Sequence, residues 1–146
     1  MEIKALANRV TRYHGTRDPF HIAAALGFII IDTPLDGIRG YYQYIHRCHI
    51  IYLDSGLPEQ ERRWVCAHEL GHYYLHRGLN RIFMDTHTLM VTSRYERDAD
   101  HFAADLLYSD DFLQDFLGCS YLTVAESLGL SDEVAEYRMS TLQPAS

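Results

Sequence analysis

Residues 64–76 read WVCAHELGHYYLH, and the fold follows from the placing of His68, Glu69 and His72 within that stretch. The apolar neighbours Trp64, Val65, Ala67, Leu70, Tyr73, Tyr74 and Leu75 predict a core helix. On a helix, residues four apart project from one face, one turn from each other. The imidazoles of His68 and His72 can therefore converge on one cation. Zinc suits them, because it accepts imidazole nitrogen and four-coordinate geometry. Glu69 borders the same face, where it can hydrogen-bond a water on the metal and take its proton. This is the logic of the H-E-x-x-H motif. Burying two histidines and a glutamate in an apolar helix is costly without compensation, and a metal supplies it. The blander alternative is an exposed polar stripe on an amphipathic helix.

Reading outward, Pro58 opens this helix, predicted over 58–77, and Gly78 closes it. Residues 79–92 are expected to loop over the surface. A second long helix is predicted over 94–108, with Ser93 as its N-cap. Within it, Glu96 and Asp100 stand four apart. One carboxylate can complete the metal's protein ligands, and the other can receive the free N–H of a ligating histidine. The reading taken is Glu96 on the metal and Asp100 behind His68. A plainer one is that Ser93-x-x-Glu96 is only a capping box, and pattern alone does not separate the two. Asp98 and Asp105 read as solvated charges. His76, another turn beyond His72, sits about 6 Å further along the axis and reads as structural or supporting. His14, His21, His46, His49, His87 and His101 are scattered and carry no ligand pattern. Tyr95, His87 or a strand tyrosine could stabilise an oxyanion, and nothing in the sequence chooses among them.

Before the motif, Ile3, Leu6, Ala7, Val10 and Tyr13 share one face of a helix over 2–14. Asp18-Pro19 opens a short helix, 19–26, that stops at Gly27. Residues 28–31, 38–45 and 49–53 read as strands, with a hairpin around His46-Arg47-Cys48. After the second long helix come shorter ones over 110–117, 120–129 and 131–142, the last capped by Ser131. The expectation is an α+β, zincin-like fold: a small, mostly antiparallel three-stranded sheet packed on helices, with a helical C-terminal part. Its expected division is 1–117 for the main domain and 118–146 for a helical extension. The strand bearing Gly40, Tyr41 and Tyr42 could line a cleft and pair with extended substrate; the alternative is an ordinary half-buried strand. The extension, TVAESLGLSDEVAEYRM, looks like a helix-turn-helix. Its charges, Glu126, Asp132, Glu133 and Glu136 against Arg138, are the wrong sign for phosphate.

Composition narrows the class. A chain of 146 residues with 47% hydrophobic content can build one core. Net charge is -7, from 13 Lys+Arg against 20 Asp+Glu, which excludes broad nucleic-acid binding and leaves room for a basic protein partner. Three cysteines, Cys48, Cys66 and Cys119, form no disulfide framework. There is neither a signal-peptide core nor an apolar run long enough for a membrane span. A cytoplasmic location is expected.

DPFHIAAALGFIII, a Gly-Tyr strand, WVCAHELGHYYLH and ERDADHFAADLL occur in an order and spacing that resemble the ImmA/IrrE family of metallopeptidases, over about residues 18–108. The resemblance implies that Glu96 is the third zinc ligand beside His68 and His72, with Glu69 as general base. The Glu96-to-Asp100 spacing is also similar to that of thermolysin-type enzymes, in which the second carboxylate supports a ligand histidine. One departure is Tyr108-Ser109, where the family usually has Met-Pro. The resemblance further implies a narrow protein substrate, a helix-turn-helix transcriptional repressor whose cleavage releases transcription. The rival expectation is a regulatory module that holds zinc and sequesters its partner without turnover.

Overall fold

The computed structural model describes residues 2–76 and 89–143, with side chains from 93 onward in the second segment. Helix α1 spans Ile3–His14 and α2 spans Pro19–Ala25. The Asp18 carboxylate accepts from the Phe20 amide, so the cap read from the sequence is formed. Strands β1 (Ile29–Thr33), β2 (Gly40–Ile45) and β3 (Cys48–Asp54) follow, then α3 (Glu59–Leu75) and α4 (Leu89–Leu107). The chain continues through α5 (Asp110–Leu113), a 3-10 turn at Gln114–Phe116, α6 (Tyr121–Leu128) and α7 (Asp132–Ser140). Ser120 and Ser131 cap the last two helices through their hydroxyls.

The fold is α+β, and the three-stranded sheet is mixed. Its order is β1-β3-β2: β3 pairs antiparallel with β2 and parallel with β1. The expected α+β layout with a small three-stranded sheet is found; β1 adds a parallel pairing to it, beside the strand two steps on in sequence. The two-residue turn between β2 and β3 is formed by His46 and Arg47, at φ 51° and 64°, as a tight hairpin demands. Alternation sorts the strand side chains. Ile51 and Leu53 are fully buried against the helices, while Tyr52 on the other face stacks on Tyr41 at 4.5 Å.

Two further expectations change. Helix α4 begins at Leu89, so Ser93 is an interior residue and caps nothing. The capping-box explanation of Glu96 thereby fails. Asp105, read as a solvated charge, is 1% exposed. Arg138 of α7 approaches it at 3.5 Å, and the Tyr137 hydroxyl donates to it at 2.5 Å. Gly78, His87 and the loop expected from 79 lie outside the described residues, as far as residue 88; 89–92 are helical.

The core joins α1, α2, β3, α3 and α4 through Ala7, Val10, Ile22, Ile51, Leu53, Leu70, Phe102 and Leu106. Each large aliphatic side chain so buried contributes about 1.5–3 kcal/mol. A smaller cluster, Val124, Ala125 and Ala135, holds α6 on α7. Helix α3 lies on α4 where Gly71 faces Ala99 and Phe102. A Cβ on Gly71 would stand 3.1 Å from the Cα and carbonyl oxygen of Ala99. That distance is tighter than ordinary packing against a rigid helix backbone. Gly71→Val should therefore lower unfolding free energy by about 1–3 kcal/mol, as overpacked cores do. Urea unfolding checks this, and an unchanged midpoint would show that the helices can separate freely there.

Candidate metal centre

Helix α3 carries His68 and His72, and α4 runs past the same face with Glu96 and Asp100. One ligand atom from each of His68, His72 and Glu96 can be chosen so that all lie within 4.8 Å of one another. The two imidazole rings are perpendicular, with centroids 4.8 Å apart. His68 Nε2 is 3.0 Å from one Glu96 oxygen, and His72 Nε2 is 2.8 Å from the other. The remaining ring nitrogens are held from behind. Asp100 lies 2.8 Å from His68 Nδ1. His76 Nδ1 lies 2.9 Å from His72 Nδ1. Both rings are thus fixed with Nε2 toward the shared carboxylate. Two imidazoles and a carboxylate form a donor set that a divalent metal of zinc's type accepts, and the partners behind the rings orient them.

The electrostatics match this geometry. Burial alone would push His68 down, but Asp100, Glu96 and Glu69 overcome it and raise its pKa to about 10. Burial likewise opposes ionisation of Glu96, and the two histidines win, holding it far below the usual carboxylate range. His76 goes the other way. Burial, with His72 beside it, lowers it to about 4. A neutral His76 can accept at Nδ1 a hydrogen bond from an N–H at His72 Nδ1.

The centre opens into a pocket of about 320 Å³ lined by Arg39, Gly40, Trp64, Val65, His68, Glu69, Glu96 and Asp100. Glu69 is buried, 5% exposed, in its wall. Of the strand residues singled out in the sequence, Gly40 lines the pocket and Tyr41 and Tyr42 do not. Tyr41 stacks on Tyr52. Tyr42 packs among Phe28, His49 and Tyr73, its hydroxyl 2.5 Å from His49 Nδ1. Gly40 is required where it stands: a Cβ there would be 2.6 Å from both the Tyr52 carbonyl and Val65 Cγ1. Tyr95, a candidate oxyanion donor, instead meets the His76 ring edge-on at 4.6 Å. Sequence reasoning missed Arg39, whose place in the pocket depends on β2 pairing with β3; its only signal was adjacency to Gly40. Cys66 is buried one turn before Leu70, and burial raises its thiol well above the usual range, leaving an inert packing group.

The chain matches the family described as Peptidase_M78, IrrE N-terminal-like domain, over residues 23–140. It belongs to that family. Among its relatives, it is 38% identical over 109 residues to uncharacterized immunity region protein 2 of Bacillus phage phi105, covering 74% of this chain and 69% of the relative. It is 27% identical over 146 residues to metallopeptidase ImmA of Bacillus subtilis (strain 168), covering 96% of this chain and 85% of that one. The family makes the chain a metallopeptidase and implies a metal, for which the cluster of His68, His72 and Glu96 offers the donors.

A pKa raised by folding adds stability below its unfolded value, and that contribution is lost as pH climbs through the folded one. Metal-stripped protein should therefore lose stability from pH 6.5 through about 10 as His68 gives up its proton. Glu96 acts in the opposite sense, and its contribution is lost as pH falls below 4.5. Urea titrations across this range check both arms. A flat profile between 6.5 and 10, the same in Asp100→Asn, would show that His68 is not held charged.

Proposed function

We propose that this metallopeptidase is a zinc-dependent endopeptidase acting on one protein, a helix-turn-helix repressor, in the cytoplasm. The observation that carries this reading is the convergence of His68, His72 and Glu96 in one pocket whose wall holds the buried Glu69. Zinc, when bound there, supplies Lewis acidity for the scissile carbonyl and lowers the pKa of the attacking water. The protein's own groups do the rest. Asp100 and His76 keep both ligand rings turned inward. Glu69 takes the proton of the attacking water and returns it to the leaving amine nitrogen. Arg39 presents a cation at the same pocket, where it can hold a substrate carbonyl or carboxylate.

Among the described residues, strand β2 is at the sheet edge, with β3 on one side. Its Gly40 end meets the pocket, so an extended substrate segment can add along β2 and reach the metal. That favours a linker or loosened helix over a folded domain. The repressor as partner is supported by the relative named for a phage immunity region and by the chain's charge of -7, which suits a basic protein. The catalytic part is taken as residues 1–117, and 118–146 as a helical extension that does not touch DNA.

Purified protein should carry about one zinc per chain, and His72→Ala should lose most of it. Glu96→Gln should weaken zinc binding and remove activity, while Asp100→Asn should cost roughly 10- to 100-fold. Glu69→Gln should keep zinc and abolish cleavage. Elemental analysis and a gel assay, with and without chelator, read these out on any helix-turn-helix repressor encoded beside the chain and on casein. Chelator-sensitive cleavage of the repressor but little of casein is the expected result. A repressor left intact by zinc-loaded protein, yet still relieved from DNA by Glu69→Gln, would point to sequestration without turnover.

A further inference from the structure

Beyond the metal centre, the acidic charge is not spread evenly. Residues 98–137 contain ten Asp or Glu and no Lys or Arg, half of the chain's 20 acids in a stretch without a base. Some of these acids are spoken for: Asp100 by His68, Asp105 and Asp110 by Arg138, Glu133 by His101. Asp111, Asp115 and Glu126 are exposed; among the described residues none has a cation within 4 Å, although Arg17 acts on Asp111 from a longer range. Threaded through them is apolar surface. Phe112, Leu117, Tyr121 and Leu122 are 48%, 55%, 39% and 52% exposed. Tyr108, Phe112 and Phe116 form a run of ring contacts at 5.6 and 6.0 Å along this surface. Helix α6 buries Val124 and Ala125 against α7 and turns Tyr121 and Leu122 outward. Large side chains left exposed together and rimmed by one sign of charge mark an interaction surface.

We propose that the segment from Phe112 to Leu122 is a docking surface for a basic, amphipathic segment of the protein substrate. The proposal rests on the endopeptidase reading for what the docked protein is, but not for the docking itself. Apolar side chains of the partner cover Phe112, Leu117 and Leu122, and its Lys or Arg side chains meet Asp111, Asp115 and Glu126. Docked there, the substrate is held on the same frame as the metal ligands. Helix α4 carries Glu96 and Asp100 on the metal side, while its His101 and Asp105 contact Glu133, Tyr137 and Arg138 of α7. Binding remote from the scissile bond confines cleavage to chains that carry the matching segment.

The test uses the full chain and two short fluorescent peptides with leucine at helical spacing, one with lysine and one with glutamate at the polar positions. Fluorescence anisotropy should show the lysine peptide binding at least roughly tenfold tighter than the glutamate peptide, and weakening with salt. Leu117→Ser/Leu122→Ser and Asp115→Lys should each cost roughly tenfold, because both halves of the surface are needed. Asp36→Lys, which changes the net charge equally but lies between β1 and β2, should bind as the unaltered chain does. Loss in Asp36→Lys equal to that in Asp115→Lys, or full binding by the leucine variant, would overturn the proposal. Sedimentation showing a dimer that Leu117→Ser/Leu122→Ser dissolves would assign the surface to a second copy instead and likewise overturn it. His72→Ala should bind the lysine peptide unchanged, so a failure of the metal reading and a failure of docking are told apart.

Discussion

The separation of α3 and α4 at Gly71 governs everything else. A candidate metal site shared between two helices needs ligand atoms to meet within a few ångströms, and the reach of His and Glu side chains is fixed. Any residue larger than glycine at position 71 meets the backbone of Ala99, three residues past Glu96 and one before Asp100. The motif therefore contains both candidate ligands and the spacer that lets the second helix bring Glu96 and Asp100 beside them. The apolar residues around it hold that spacing against thermal motion: Leu70 and Phe102 lie fully buried beside the contact.

The same contact explains why charge can be concentrated here. His68 is flanked by two carboxylates at 2.8 and 3.0 Å and remains largely buried. Uncompensated, such burial would neutralise one partner or separate them. In this arrangement the carboxylates and imidazoles compensate one another, and a cation held there would replace the protons they share. His76 extends the logic to the second ring. It is neutral because it is buried, and neutrality is what lets it accept from His72.

Much of this was legible in the chain because it is local. Helix faces, the Asp18 and Ser131 caps and the pairing of His68 with His72 follow from spacings of one to four residues. The partnership of Glu96 and Asp100 with α3 is not local, but their shared spacing of four exposed it once a two-histidine face existed. What escaped were long-range matters. The parallel pairing of β1 with β3 joins strands separated by an entire third strand, and no alternation pattern announces it. A serine before a periodic run looks the same whether it caps a helix or rides within one, so Ser93 reads as a cap although α4 starts at Leu89. Asp105 looked solvated because its counter-ion, Arg138, is thirty-three positions away on another helix.

Arg138 also ties the two ends of the chain together. Its guanidinium, 1% exposed, bonds the Tyr108 carbonyl and Asp110, and the other oxygen of Asp110 accepts from Lys4 of α1. Lys4 donates in turn to the Thr141 carbonyl, 137 residues along the sequence. Until residues 138–141 are in place, Asp105 lacks its cation, Asp110 has only Lys4, and Lys4 lacks the Thr141 carbonyl. The helices that carry the candidate metal ligands can form early, but locking them waits on a contact spanning 137 residues, the slow kind of closure in which loop entropy must be overcome before any reward arrives. In kinetic terms, the contacts between α1 and the 138–141 segment are a clasp fastened late around the two helices that bring His68, His72 and Glu96 together.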